Sequence, residues 1–206
     1  MRRSLYGGLL VAGLVASSAN GLVAQETGTP MFKAPYRAFT NHEFGAAFSD
    51  PGEGVNFALE GFYGYGRGSN DFGIRAGIAD PDGPGDVRIL LGGDFRARIL
   101  NYSESFPLDG ALTVGAGINL GDGDDLVYLP LGFTLGRRFE LEGSKTTFTP
   151  YVHPTIVPVL GAAGGDDVGF SLGLGVDLRF SRTWAVRVSG GMGDLEGVGI
   201  GLTYVQ

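Results

Sequence analysis

The chain has 206 residues, 38 of them glycine and none of them cysteine, and its formal net charge is −7. This length suits one domain or one barrel, and the lack of cysteine excludes a disulfide framework and a thiolate metal site. The acidic balance argues against a nucleic-acid-binding surface, so the sequence predicts no nucleic-acid partner.

The N-terminus has the pattern of a secretory signal peptide. Two arginines precede an apolar segment, residues 5–15, that is too short to span a bilayer, and small residues suited to cleavage follow it. We predict a signal peptide over residues 1–24 with cleavage after Ala24, or alternatively after Ala19. The mature protein is therefore predicted to be exported.

Residues 25–40 have no clear period and contain Pro30 and Pro35. We interpret them as a periplasmic N-terminal lead-in. From residue 41 to residue 206, apolar residues alternate with small or polar ones, and this period of two predicts β-strands with two different faces. The ten predicted strands cover approximately residues 42–49, 54–65, 71–79, 87–100, 108–120, 127–139, 147–160, 168–181, 183–192 and 197–205.

The connections between these strands alternate between two compositions. Those after the odd-numbered strands are rich in Asp and Gly and contain no Lys or Arg, whereas those after the even-numbered strands include Arg67, Lys145 and Arg182. This alternation predicts an up-and-down sheet with one kind of loop at each end.

Aromatic residues on the apolar faces lie near the end without the acidic loops and predict an aromatic girdle at a membrane interface. They are Tyr63, Tyr65, Phe72, Phe139, Phe148, Phe180, Trp184 and Tyr204.

Charged residues of both signs lie on the opposite face of the strands. A soluble sandwich would turn them to water, whereas a membrane barrel would pair them in its lumen. Strands of about ten residues at ~3.3 Å rise and ~45° tilt cover ~23 Å, which fits the apolar band of an outer membrane. We predict an all-β, antiparallel, up-and-down transmembrane β-barrel of ten strands, with eight strands as the alternative. The inward charges are Glu60, Arg75, Arg88, Asp94, Arg96, Arg98, Arg138, Asp177, Arg179 and Arg187.

In this pattern, residues 41–206 resemble the small bacterial outer-membrane β-barrel proteins. Those families usually end in Gly-x-x-aromatic-x-aromatic; Gly201 and Tyr204 match this signal, and Gln206 stands in place of the last aromatic. The resemblance implies a location in the outer membrane of a Gram-negative envelope and contact with its lipid and lipopolysaccharide. We expect a monomer. The resemblance implies no activity, because one fold hosts many functions.

Chemical motifs are sparse, and we expect no catalytic residue, no cofactor and no dedicated metal site. Carboxylates in turns, at Asp80, Asp82 and residues 122–125, suit Ca²⁺ or Mg²⁺ that bridges to lipopolysaccharide phosphates. His153, with Thr155 two residues on, is similar in part to the His-x-Ser pair of some outer-membrane lipid A deacylases. Catalysis would need an orienting acid, which cannot be placed, so a hydrogen-bonded lumen histidine is the competing interpretation.

Prolines within the sixth and seventh predicted strands lack the N–H that a central ladder needs. The prolines of the seventh strand all lie at even positions, so their backbone groups point toward the same neighbouring strand. They belong to the outward-facing set of that strand, whereas the proline of the sixth strand belongs to its inward-facing set. In one arrangement the seventh-strand prolines interrupt the seam between strands 6 and 7, and the sixth-strand proline weakens the 5–6 seam. In the other, the sixth-strand proline interrupts the 6–7 seam and the seventh-strand prolines weaken the 7–8 seam. The alternative is a β-bulge or a locally twisted strand with no transport role. The residues of this candidate lateral seam are Pro130, Pro150, Pro154 and Pro158.

The sequence thus predicts a structural, surface-exposed outer-membrane barrel with acidic extracellular loops and no catalysis. The first alternative is a porin-like passive conduit for small or lipophilic solutes, with a lateral opening near strands 6 and 7. The second alternative is a lipid-modifying outer-membrane enzyme.

Overall fold

The structure is a computed structural model that describes residues 27–52, 54–161 and 165–206. The predicted signal peptide, residues 1–24, lies outside the described residues. Within the described ranges, no helix is long and apolar enough to cross a membrane.

Period-two alternation from residue 42 onward produces β-structure almost without interruption. Each β-segment is antiparallel to its neighbours, because short hairpin connections join successive strands. The segments are β1 (His42–Asp50), β2 (Val55–Arg67), β3 (Asn70–Pro81), β4 (Arg88–Leu100), β5 (Asp109–Leu120), β6 (Leu126–Tyr128), β7 (Leu131–Gly136), β8 (Phe139–Glu140), β9 (Thr147–Leu160), β10 (Asp167–Arg179), β11 (Trp184–Gly193) and β12 (Gly197–Val205).

The described residues form a closed antiparallel barrel of ten strands, which confirms the predicted all-β, ten-stranded antiparallel barrel and makes the eight-strand alternative wrong. Closure comes from β1 and β12, which pair from Glu43–Val205 to Asp50–Val198. The short segments β6, β7 and β8 occupy the position of the sixth predicted strand, and β9 pairs with all three. The first interruption of that strand falls at Pro130, which has no backbone N–H to give to the ladder.

The two ends of the barrel differ in their connections. We call one the acidic end; it carries the connections β1–β2, β3–β4, β5–β6, β9–β10 and β11–β12, which include residues 82–87, 121–125 and 194–196. We call the other the arginine end; it carries residues 68–69, 101–108, 141–146 and 180–183. Each composition class therefore lies at one end, as the alternation predicts for an up-and-down sheet.

The wall turns its large apolar side chains outward. Ile74 and Ile200, for example, are 62% and 51% exposed although they lie in the middle of their strands. The inner face carries the charged and polar residues instead, and Glu60, Arg96 and Arg187 are all buried. The barrel is thus apolar outside and ionic inside, the reverse of a soluble sandwich.

The centre of the barrel is occupied by the chain itself. Residues 27–40, which we call the lumen segment, run inside the wall, and Phe32 and Ala34 within it have 0% exposure. The sequence did not predict this location, because these residues have no period that would mark them as part of a packed element. The periplasmic location predicted for residues 25–40 stays a prediction.

Candidate functional site: the filled lumen

The lumen segment enters the barrel at the arginine end. There the backbone N–H groups of Thr40 and Asn41 both donate to the Gln206 carbonyl, at 3.0 Å each. Further in, the segment reaches the acidic half, where Met31 lies against Gly199 near the start of β12. The chain from Met31 to Asn41 therefore runs from the acidic half to the arginine end and fills most of the height of the barrel.

Beyond Met31 the segment turns across the lumen. The Met31 N–H donates to the Thr29 carbonyl at 2.9 Å, and the Thr29 hydroxyl donates to Glu60 on β2 at 2.7 Å. The segment therefore reaches both walls, with β10–β12 on one side and β2–β3 on the other.

Glycines of the inner wall make room for the side chains of the lumen segment. A methyl group added at Gly173 would lie 2.2 Å from the Phe32 ring, and one added at Gly199 would lie 2.5 Å from the Met31 sulfur. Neither glycine has a positive φ, so space and not backbone conformation requires it. The same close approach recurs along the segment, in the pairs Met31–Gly199, Phe32–Gly173, Lys33–Gly73, Pro35–Gly136 and Arg37–Gly66.

Filling one of these gaps should displace the segment. We expect Gly173→Val to push Phe32 out of place at an overpacking cost of about 1–3 kcal/mol, and so to speed tryptic cleavage after Lys33 by about tenfold. Lys33 is only 8% exposed in the parent protein, so its cleavage should be slow. Mass spectrometry of the N-terminal fragment measures the rate.

The matched control is Gly61→Val in β2. Gly61 faces outward, and a methyl group there would find its nearest neighbours at 4.0 Å. Equal cleavage rates in the two variants would contradict a packed lumen segment.

Ion pairs hold the middle of the lumen together. Arg187 forms two hydrogen bonds with Asp177, at 2.9 and 3.1 Å, and Arg75 lies 3.7 Å from Glu60. Lys33 of the lumen segment pairs with a wall carboxylate, Asp94. Charges of both signs therefore pair inside the barrel, as the sequence predicts, and one partner comes from the lumen segment.

Wall side chains also satisfy the backbone of the lumen segment, which has no strand partner of its own. Tyr151 donates to the Phe32 carbonyl at 2.8 Å, and Ser189 donates to the Pro30 carbonyl at 2.6 Å. Arg96 donates to the carbonyls of Ala34 and, at 3.3 Å, of Tyr36. Buried backbone groups need such partners, so these contacts fix the path of the segment.

The lumen is closed above Phe32 by an apolar layer at the acidic end. Leu195 from the 194–196 connection is fully buried and belongs to one cluster with Phe32, Tyr128, Val157 and Val159. The aspartate that precedes it, Asp194, accepts a hydrogen bond from the Phe170 N–H at 2.7 Å and ties the connection to β10. This connection therefore packs over the lumen segment at the acidic end, with Phe32 as part of its support.

The remaining arginines predicted to face the lumen lie near its two ends. Arg88 donates to the carbonyls of Asn119, Asp122 and Asp124, and so holds the acidic connection 121–125 to the wall. Arg98, Arg138 and Arg179 lie at the arginine end, where Arg179 donates to the Ser181 carbonyl at 3.2 Å.

His153 lies inside the wall at mid-height, where its Nε2 forms a 2.8 Å hydrogen bond with the Thr113 hydroxyl. The hydroxyl of Thr155, the residue that suggested a catalytic pair, donates to the His153 carbonyl at 3.4 Å. Within the described residues, Nδ1 of His153 has no partner that could orient it as a base. The adjoining cavity measures about 20 Å³, and Lys33, Asp94 and His153 are among its lining residues. This volume suits a water molecule and not a lipid chain.

The candidate lateral seam takes the first of the two predicted arrangements. Leu129 N–H donates to the Pro158 carbonyl at 3.0 Å, and Arg137 N–H to the Pro150 carbonyl at 3.3 Å, so the β9 prolines face β6 and β7. Pro130 faces the other way, because its carbonyl accepts from Gly115 of β5 at 2.9 Å.

Every second bonded pair between β9 and the sixth barrel strand therefore lacks one donor. The pairing of β7 with β9 is interrupted at Phe133 and Thr134, between the pairs Gly132–Thr155 and Leu135–Val152. The ladder between β9 and β10 is continuous from Asp167–Val159 to Arg179–Thr147. The wall thus has one poorly bonded seam beside a fully bonded one.

Amide exchange within β9 should report this difference. We expect the amides of Val152 and Ile156, which face β7, to exchange about tenfold faster than those of His153 and Thr155, which face β10, since a lost hydrogen bond is worth about 1 kcal/mol. Alternate residues of one strand serve as each other's control. Pro154→Val should slow exchange at Val152 and Ile156; equal protection of both sets in the parent would contradict a weak seam.

No group of three His, Asp or Glu residues in the described ranges is placed to hold a metal ion. No protein-family model matches the chain, and no curated protein matches it in sequence.

Sequence reasoning missed the lumen segment, above all Phe32 and Lys33. The available signal was the set of glycines on the inner face of the wall strands, several of which lie against the lumen segment.

Proposed function

We propose that this protein is an integral outer-membrane β-barrel whose lumen is closed by its own N-terminal segment, with a structural, surface-exposed role and no catalysis. The observation that carries this proposal is the inverted wall: large apolar side chains face outward around the barrel, and buried ion pairs face inward. In water such a surface would be an aggregation hazard, whereas in lipid it is the favourable surface.

The outward aromatic residues support a membrane interface at the arginine end. Cross-strand pairing sets them side by side, so they form rows around the wall rather than isolated contacts. Three outward aromatic residues lie toward the acidic end instead: Phe48, Phe57 and Phe170. Most outward aromatic residues therefore lie at the arginine end, but not all of them. The neighbouring rings at the arginine end are Trp184–Tyr204 at 5.3 Å between centroids, Phe44–Tyr63 at 5.1 Å, Phe72–Phe95 at 4.9 Å and Phe139–Phe148 at 5.1 Å.

The filled lumen favours the structural role over a passive conduit. Residues 29–33 span the lumen between β2 and β11, and the 194–196 connection covers them. A solute that crossed the barrel along its axis would have to displace Phe32 and break the pair between Lys33 and Asp94. We therefore propose that the resting protein does not conduct. We also propose that it is a monomer, because its closed wall leaves no free strand edge to pair with a second chain.

The weak seam favours, as a second candidate, lateral passage of a lipophilic molecule through the wall. The specific observation is that three missing donors fall on one seam while the next seam is complete. A lipophilic molecule could pass there without an open axial channel. The exchange rates of Val152 and Ile156 test whether that seam opens.

The acidic end supports an extracellular orientation. Its carboxylates are spread over separate connections, with Asp82, Asp122 and Asp124 exposed. We propose that divalent cations bridge these carboxylates to lipopolysaccharide phosphates, which would make the contact loose and dependent on cation concentration.

Cysteine labelling tests both the membrane and the orientation, because the chain has no cysteine of its own. A cysteine in place of Asp124 should react with an impermeant thiol reagent on intact cells, whereas one in place of Lys145 should react only after the outer membrane is opened. The reverse pattern would invert the orientation. A variant protein recovered in the soluble fraction without detergent would contradict the membrane proposal.

A further inference from the structure

We propose that the mouth of the barrel at the arginine end binds a phosphate group. A cavity of about 230 Å³ opens there, and its lining includes Tyr36, Arg37, Ser69, Arg98 and Arg138. We call it the arginine vestibule. This inference goes beyond the proposed membrane role and does not depend on it, because the vestibule is formed by the barrel in any solvent.

The vestibule carries positive charge that nearby carboxylates do not neutralise. Among the described residues, no carboxylate lies within ion-pair distance of Arg37, Arg98 or Arg138. Asp71 lines the cavity, but its carboxylate already accepts from the buried Arg96 at 2.9 Å. Asp109 accepts from the hydroxyl of Tyr36, another lining residue.

The three guanidinium groups are held in place and keep hydrogen-bond donors to spare. The Tyr36 ring lies 5.5 Å from Arg98 and 4.4 Å from Arg138, and this cation–π packing brings the two like charges together. Arg138 donates to the Arg37 carbonyl at 3.2 Å, and Arg37 donates to the carbonyls of Phe39 and Asn70. The Arg98 guanidinium lines the cavity and donates to no described residue, so its donors are free for a ligand.

This arrangement suits a phosphate group better than a single carboxylate. Guanidinium forks match the geometry of phosphate oxygens, and a doubly charged anion would relieve the repulsion between Arg98 and Arg138. The cavity is larger than one phosphate needs, so it also admits the group attached to it. The source is either a soluble phosphate compound or the headgroup of an anionic lipid.

Calorimetric titration of the refolded protein in a non-ionic detergent at low salt tests the site. Pyrophosphate is the probe, and inorganic phosphate is the smaller comparison. We expect saturable binding, and a loss of at least about tenfold in affinity for the Arg98→Gln, Arg138→Gln double variant, because hydrogen bonds to charged groups are the strong ones. The single variant Arg37→Gln provides a second test if the double variant does not fold.

The matched control is Arg67→Gln with Arg182→Gln, which removes two exposed charges from the same end. It should change affinity by less than about twofold, as for other exposed charges. Nanodiscs then separate the sources: phosphatidylglycerol that competes with pyrophosphate identifies a lipid headgroup, and absence of competition identifies a soluble phosphate. Undetectable pyrophosphate binding, or equal losses in the control and vestibule variants, would overturn the proposal.

Discussion

Removal of residues 27–39 is expected to turn a silent barrel into a conducting one. These residues fill most of the height of the lumen, and the wall that remains is lined with charged side chains that would hold water once the space is free. In planar bilayers the parent protein should give no steady conductance, whereas the deletion variant should give discrete steps.

A peptide of residues 27–40 supplies the control for that deletion. Added to the variant, it should close the channel, because Phe32 can return to the space over Gly173 and Lys33 to Asp94. The same peptide with Phe32→Asp and Lys33→Glu should leave the channel open. A parent protein that conducts as strongly as the deletion variant would refute the closed lumen.

Loss of Arg96 is expected to be the most destabilising single substitution in the lumen. Its side chain is 2% exposed, binds Asp71 at 2.9 Å and holds the carbonyls of Ala34 and Tyr36. Arg96→Ala leaves Asp71 buried and unpaired, which costs about 3–5 kcal/mol. Thermal or denaturant unfolding in detergent micelles, followed by circular dichroism, measures this loss.

Two comparisons make the Arg96 result specific. Arg67→Ala, at the exposed end of β2, should change stability by less than about 0.5 kcal/mol. Arg96→Met combined with Asp71→Leu should recover much of the loss, because replacing both members of a buried pair with apolar groups is often tolerated. A cost for Arg96→Ala no greater than that for Arg67→Ala would argue against a buried pair.

The wall of this barrel could be predicted from the sequence because it depends on local patterns. Alternation fixes which face of each strand is apolar, as in β5, and Gly/Asp turns such as residues 121–125 fix where a strand ends. The two loop compositions gave the up-and-down order without any knowledge of pairing. The sixth strand was predicted as one continuous strand, whereas it is interrupted at Pro130, which has no N–H for the ladder.

The contents of the lumen could not be predicted in this way, because they depend on contacts between distant parts of the chain. Phe32 meets Gly173 and Leu195 only after the barrel has closed, and neither partner is marked by period or spacing. The direction of the proline seam had the same difficulty. Both arrangements obeyed the parity rule, and only the observed bonds of Leu129 to Pro158 and of Gly115 to Pro130 decided between them.

One nuclear Overhauser spectrum of the refolded protein in detergent micelles tests the central claim, a membrane barrel filled by its own N-terminal segment. We predict cross-peaks between the Phe32 ring and the α-protons of Gly173, and between detergent acyl chains and the methyl groups of Ile74 and Ile200. A spectrum in which residues 27–39 give random-coil shifts beside an intact barrel would contradict the filled lumen. Methyl groups of Ile74 and Ile200 that contact water and not detergent would contradict the membrane barrel.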